Sequence, residues 1–95
     1  MKPHVKKYMD ALGYTPGDWM PCEVAALEAS DCKGKGTAVD IHHIEARGMG
    51  GSNDANSPAN LMALCRECHE YYGDKRQHTD FLQLVHRTFM LKFAK

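Results

Sequence analysis

Two adjacent imidazoles at His42 and His43, an amide at Asn60, thiols at Cys65 and Cys68 and a third imidazole at His69 fall in one stretch opened by Asp40. An imidazole titrates near ~6.5, so at neutral pH it can take a proton or give a lone pair to a metal ion. Thiolates hold zinc in tetrahedral sets of four, with Zn–S of about 2.3 Å. These residue types suit two jobs. One is a divalent ion that polarises a phosphate beside a base that activates water; the other is a second metal that holds the fold. Any one of the histidines alone reads more simply as a core side chain, and it is the combination that points to a site.

Cys65-x-x-Cys68 has the spacing of one half of a zinc site, and Cys22 and Cys32 can supply the other half. The upstream pair is irregular: a tight knuckle after Cys22 would place a cysteine at position 25, which is Ala25. Three readings stay open here. A four-thiolate structural zinc is the expectation, beside a site that uses fewer of the cysteines and reduced cysteines that merely pack.

These groups need elements to carry them. Thr37 to Ile44 reads as a strand, with β-branched residues at Thr37, Val39, Ile41 and Ile44. A period of two puts Val39 and Ile41 on one face, and Asp40 and His42 on the other. Neighbouring strand residues face opposite ways, so His42 and His43 can meet one point only at a strand end. Glu45 to Ala59, with Gly48, Gly50, Gly51, Asn53, Asn56 and Pro58, has the composition of a long loop. Such loops are uncommon in compact domains unless functional. Leu61 to Leu64 reads as a second strand, and Cys65 to Tyr72 as a helix stopped near Gly73.

On the N-terminal side, Pro3 suits a first helical turn. Val5, Tyr8, Met9 and Leu12 then form an apolar stripe, and Gly13 falls where a left-handed cap is expected. Thr15-Pro16-Gly17-Asp18 is a turn by its chemistry. Trp19 is expected to anchor the core. The alanine-rich run from Glu23 to Ser30 predicts a helical turn or two, before a basic loop at Asp31 to Gly36. On the C-terminal side, Thr79 or Asp80 is an expected N-cap for a final helix. Phe81, Leu82, Leu84, Val85, Phe89, Met90 and Phe93 give that helix a broad apolar face, and Lys92 and Lys95 suit its last turns.

Ninety-five residues with 12 basic and 12 acidic side chains predict one small domain over residues 1–95, with no basic excess for tight non-specific nucleic-acid binding. Its core is about 22–72, with flanking helices at about 3–12 and 80–94. A chain this short buries a thin core, which a metal staple would reinforce. There is no apolar run of membrane-span length. Met-Lys-Pro-His-Val-Lys-Lys precedes no apolar core, so the expectation is no signal peptide and a cytoplasmic protein whose cysteines stay reduced.

Asp40-Ile-His42-His43-Ile44, the Gly50-Gly51 loop, Asn60-Leu61 and Leu64-Cys65-x-x-Cys68-His69 together resemble the HNH endonuclease family. The likeness is to the zinc-knuckle branch common among phage and mobile-element nucleases, and it spans roughly residues 22–72. It implies a ββα-metal (His-Me finger) core; with the flanking N- and C-terminal helices, which lie outside the family's core, and the four-cysteine zinc site read above at Cys22, Cys32, Cys65 and Cys68, the expected fold is small α+β. By the same resemblance His43 is the general base, and Asn60 pins the loop through backbone hydrogen bonds. His42 and His69 ligate one catalytic divalent cation (Mg2+, Mn2+ or Ni2+). Asp40 touches that metal, orients an imidazole or simply starts the strand. Arg47 and Arg66 are candidate phosphate contacts, with a solvated surface charge as the alternative. Lys75 and Arg76 read as surface charges, and His78 and His86 as structural or exposed.

Two departures matter. The proline that often follows the base by three residues is Ala46 here, and the third histidine of the colicin-type cage is Gly73, which favours a two-ligand site. The implied activity is hydrolysis of DNA, double-stranded by expectation, leaving 5′-phosphate and 3′-hydroxyl ends. Small members of the branch resemble phage packaging or recombination nucleases that act with larger phage proteins, which would place the chain in the cytoplasm of a bacterial host. No membrane partner is expected, and a monomer is expected over a homodimer. The competing reading is a non-catalytic, zinc-stabilised nucleic-acid-binding or adaptor module.

Overall fold

The computed structural model describes residues 2–45 and 56–94. In chain order the elements are α1 (Pro3–Leu12), α2 (Glu23–Leu27), β1 (Asp40–His43), β2 (Leu61–Leu64), α3 (Arg66–Tyr72) and α4 (Thr79–Phe93), with single 3-10 turns at Ala29–Asp31, Pro58–Asn60 and Arg76–His78. The two strands pair antiparallel, Asp40 opposite Leu64, Ile41 opposite Ala63, His42 opposite Met62 and His43 opposite Leu61. The molecule is a small α+β structure with helices on both faces of this ribbon.

β2 explains the layering. Its Leu-Met-Ala-Leu run is buried at every position, which a strand tolerates only when both faces are covered. Met62 and Leu64 point into a core with Val24, Leu82, Val85 and Tyr72. Leu61 and Ala63 point the other way, into a core with Tyr8, Leu12 and Phe89. Each fully buried Leu or Met contributes about 2 kcal/mol through the hydrophobic effect. Because directly paired residues share a face, Asp40 and His42 lie on the α3 side of the ribbon, and Ile41 and His43 on the α1 side.

Local chemistry sets the helix ends. α1 starts with proline in its first turn and stops at Gly13, whose φ of 77° is the left-handed cap conformation. α3 opens at Cys65, whose sulfur accepts the Cys68 N–H. α4 begins at Thr79 straight out of the Arg76–His78 turn, with His78 at the N-cap and no side-chain cap bond. The expected cap at Thr79 or Asp80 is thus replaced by a continuous turn-into-helix backbone.

Three further expectations need correction. Trp19 is 65% exposed and donates its indole N–H to Thr37 Oγ1 at 3.1 Å, so it decorates the surface. Tyr8, Tyr72 and Phe89 are the large buried aromatic groups among the described residues. The strand expected from Thr37 is regular only from Asp40, because Thr37 pairs with Pro21 and the Ala38 N–H goes to Met20. The apolar face of α4 is narrower than its composition suggests: Leu82, Val85 and Phe89 are buried, while Leu84, Leu91 and Phe93 face solvent.

One polar centre lies inside the packing. Glu23 is fully buried on α2. Its Oε2 accepts from the Tyr8 hydroxyl at 2.5 Å and from the Ala63 N–H at 3.1 Å. Its Oε1 lies 2.8 Å from Nδ1 of buried His86. The other His86 nitrogen, Nε2, is 2.7 Å from the Pro58 carbonyl, which can only accept, so Nε2 carries a proton. α1, α2, β2 and α4 therefore meet at one carboxylate, and His86 links the Pro58–Asn60 turn to it.

Candidate functional site

The four cysteines come together from three places. Cys22 precedes α2, Cys32 follows the Ala29–Asp31 turn, and Cys65 and Cys68 open α3. All four sulfurs lie within 4.8 Å of one another. A tetrahedron with Zn–S of about 2.3 Å has S···S edges of about 3.8 Å. Cys32–Cys65 and Cys32–Cys68 stand at 3.9 and 3.8 Å. The Lys33 N–H points at Cys68 Sγ and the Cys68 N–H at Cys65 Sγ, both at 3.3 Å, as suits sulfur that carries negative charge. Burial pushes the Cys22 and Cys68 thiols up, so several thiolates here need a cation among them. Gly34 fits the same picture: a Cβ there would stand 3.0 Å from Cys65 Sγ and run into the Glu67 carboxylate. These residues fit zinc. Cys22 and Cys32 reach the α3 pair from the two ends of the 22–32 segment, which is how the site closes without a knuckle at Ala25.

The imidazoles form a second centre next door. His42 is buried, and its ring lies 4.8 Å from that of His69 on α3. Burial first, and then the neighbouring His69, pull His42 down to about 4, so it is a neutral imidazole at neutral pH. His69 donates from Nδ1 to Asp40 Oδ2 at 3.1 Å, and Arg66 Nε reaches the same oxygen at 3.1 Å. Asp40 therefore fixes which nitrogen of His69 is taken. Gly73 leaves room for this pair, since a Cβ would collide with the His69 ring and stand 3.3 Å from the His42 ring. Among the described residues the four cysteines form the only group of three or more candidate ligands that converge closely. Asp40, His42 and His69 do not make a further one.

His43, the last residue of β1, faces the other side. Its Nε2 is 2.8 Å from Asn56 Oδ1, an acceptor, which assigns the ring proton to Nε2 and leaves the lone pair on Nδ1. Its ring also packs against His4 of α1, with centroids 4.7 Å apart. Asn60 is buried on the turn into β2. Its Oδ1 accepts from the Glu45 N–H at 2.9 Å, and its Nδ2 donates to the Glu45 carbonyl at 2.7 Å. With the Ile44 N–H bonded to the Asn60 carbonyl at 2.9 Å, the backbone just past His43 is held by one asparagine.

The residues singled out by sequence thus divide between faces. Asp40, His42, His69 and Arg66 assemble on the α3 side, and His43 and Asn60 lie at the strand end, where Asn56 joins His43. Arg47 and the glycines at 48, 50 and 51 lie outside the described residues, as does Lys95. His78 stacks on Tyr71 with Lys33 over the same ring, and Lys75 bonds the Glu70 carbonyl. Sequence reasoning missed His4, Asn56 and Glu23. For His4 the one signal was helical spacing, since it lies one turn before Tyr8 on the stripe that packs inward. Nothing marked Glu23, an acid in an alanine-rich run.

The family model described as HNH endonuclease matches residues 30–75, which takes in β1, β2, α3 and three of the four cysteines. Comparison with curated proteins and with solved structures gave no match. The fold agrees with a ββα-metal arrangement, two antiparallel strands followed by a helix. Among the described residues no helix is long and apolar enough to cross a membrane.

Proposed function

We propose, from the membership of residues 30–75 in the HNH endonuclease family, that this chain is a metal-dependent DNA endonuclease. Nuclease chemistry and action on DNA are general to the family; the residue roles below are our own reading. The observation that carries them is the pairing of a neutral, buried His42 with an Asp40-oriented His69 on one side of β1, and an Asn56-bonded His43 at its end.

His43 is the general base. With Nε2 donating to Asn56, Nδ1 accepts the proton of the attacking water as its oxygen bonds to phosphorus and the bond to the 3′ oxygen breaks. Products are a 5′-phosphate and a 3′-hydroxyl end. Asn60 fixes the backbone that carries His43 through its two bonds to Glu45. His42 and His69 would hold one divalent ion, Mg2+, Mn2+ or Ni2+. Asp40 engages Nδ1 of His69, which leaves Nε2 for the ion. When bound, the ion supplies positive charge for the phosphate and the departing 3′ oxygen. Arg66, mostly exposed and tethered to Asp40, is placed to contact a neighbouring phosphate of double-stranded DNA. The four thiolates hold zinc in a purely structural role.

The test is supercoiled plasmid incubated with zinc-loaded protein and Mg2+, Mn2+ or Ni2+, beside the His43→Ala variant. Wild type converts supercoiled to nicked or linear plasmid only with added ion, and the variant loses at least roughly a hundredfold in rate, the usual minimum for a removed general base. Cleavage by His43→Ala at the wild-type rate rejects the base, and failure on every nucleic acid with every ion rejects the activity.

A further inference from the structure

We propose that His4, on the flanking helix α1 and outside the residues matched by the family, is a positioning residue that holds the His43 imidazole in one orientation. The proposal's catalytic consequence rests on the nuclease reading above; its structural content does not.

The geometry begins with α1. Tyr8 is fully buried, and its hydroxyl donates to Glu23 at 2.5 Å, which fixes the helix in both rotation and height. Residues four apart share a helical face, so His4 is carried on the stripe of Tyr8 and Leu12, one turn nearer the helix start. That stripe covers the Leu61 and Ala63 side of the ribbon. His43 lies opposite Leu61 and therefore faces the same way. The two imidazoles meet there, centroids 4.7 Å apart and planes at 43°.

His43 is then restrained twice. Asn56 holds one ring nitrogen at 2.8 Å, and the His4 ring packs against the imidazole at a 43° tilt. A side chain with two χ angles and one hydrogen bond can still swing about that bond. A ring packed against the imidazole limits that swing and fixes the direction of the remaining lone pair. A general base works only when that lone pair points at the attacking water, and a displacement of about 1 Å can cost roughly a hundredfold in rate. The same contact needs a ring at position 4, not a titrating one.

Two variants separate these parts. His4→Ala removes the ring, and His4→Phe keeps a ring of similar shape without nitrogens. In the plasmid assay, His4→Ala should lower the single-turnover nicking rate roughly ten- to a hundredfold, with plasmid affinity and melting temperature near wild type. His4→Phe should recover most of that rate. Wild-type rates in His4→Ala, a loss confined to affinity, or a His4→Phe variant as slow as His4→Ala would each overturn the proposal. An independent readout uses the zinc-loaded protein without DNA: the ring-proton NMR signals of His43 should shift and broaden in His4→Ala and stay sharp in His4→Phe, with those of His86 unmoved. Unchanged His43 signals in His4→Ala would overturn the restraint directly. Should wild type cleave nothing, the nuclease reading falls and the NMR comparison alone decides whether His4 restrains His43.

Discussion

At the scale of single residues, the interior of this small protein is organised by a charge-bearing side chain. Glu23 sits at 0% exposure with three donors or proton partners around it, Tyr8, Ala63 and His86. Removing one partner from such a buried set leaves the others desolvated and unpaired, at a cost of about 3–5 kcal/mol. Glu23→Ala should therefore abolish or severely weaken cooperative unfolding. Glu23→Gln, which keeps the shape and one acceptor, should retain more stability. Urea titration of both variants checks this, and an alanine variant as stable as wild type would show that the hub contributes nothing. The importance of Glu23 was not legible in the chain, because burial of an acid depends on partners 15, 40 and 63 positions away. Trp19 failed for the mirror reason: residue type suggested burial, but its indole N–H found Thr37 at the surface. The half of the sulfur cluster at Cys65 and Cys68 was legible because two thiols three apart fall on one helical turn, whereas the approach of Cys22 and Cys32 was not written in any regular spacing.

At the scale of elements, the first turn of α3 serves two centres. Cys65 and Cys68 join the four-sulfur cluster, and His69, the very next residue, turns toward Asp40 and His42. Whatever loosens the sulfurs loosens the imidazole. Cys68→Ser should lower the melting temperature and also weaken divalent-ion binding at the His42–His69 side, although it touches neither histidine. Zinc content, thermal unfolding and Ni2+ titration of the same preparation check both halves. Full zinc content with unchanged melting would count against the structural metal, and intact Ni2+ binding would separate the two centres. β1 was readable from its β-branched residues, β2 from a short apolar run, and the α3 stop from Gly73. The strand start was not, because the segment before Asp40 pairs with Met20 and Pro21, a competition that residue patterns do not record.

At the scale of the whole molecule, stability should depend on pH through Tyr8. Burial, and then the adjacent Glu23 charge, raise its phenol well above the ordinary value of 10.0. Below that value both folded and unfolded chains keep the proton, and the contribution is complete. Above it the unfolded chain ionises and the folded one does not, so stability falls as pH rises, by up to about 1.4 kcal/mol per pH unit for one group. Unfolding free energies from pH 8 to 11 should decline more steeply for wild type than for Tyr8→Phe; equal slopes would remove Tyr8 as the cause. Helices on both faces of a two-stranded ribbon follow from the all-apolar β2, which was visible in Leu61 to Leu64. Which helix covers which face was not visible, since it is decided by the Tyr8–Glu23–His86 contacts.

The 63-residue separation of Glu23 and His86 has a consequence for biosynthesis. On the ribosome, Glu23 emerges early and stays without that partner until α4 has been made. The same histidine holds the Pro58 carbonyl, two residues before Asn60. The Pro58 carbonyl therefore gains its imidazole partner only after His86 has been made, so the tie between this turn and α4 is a late contact of synthesis.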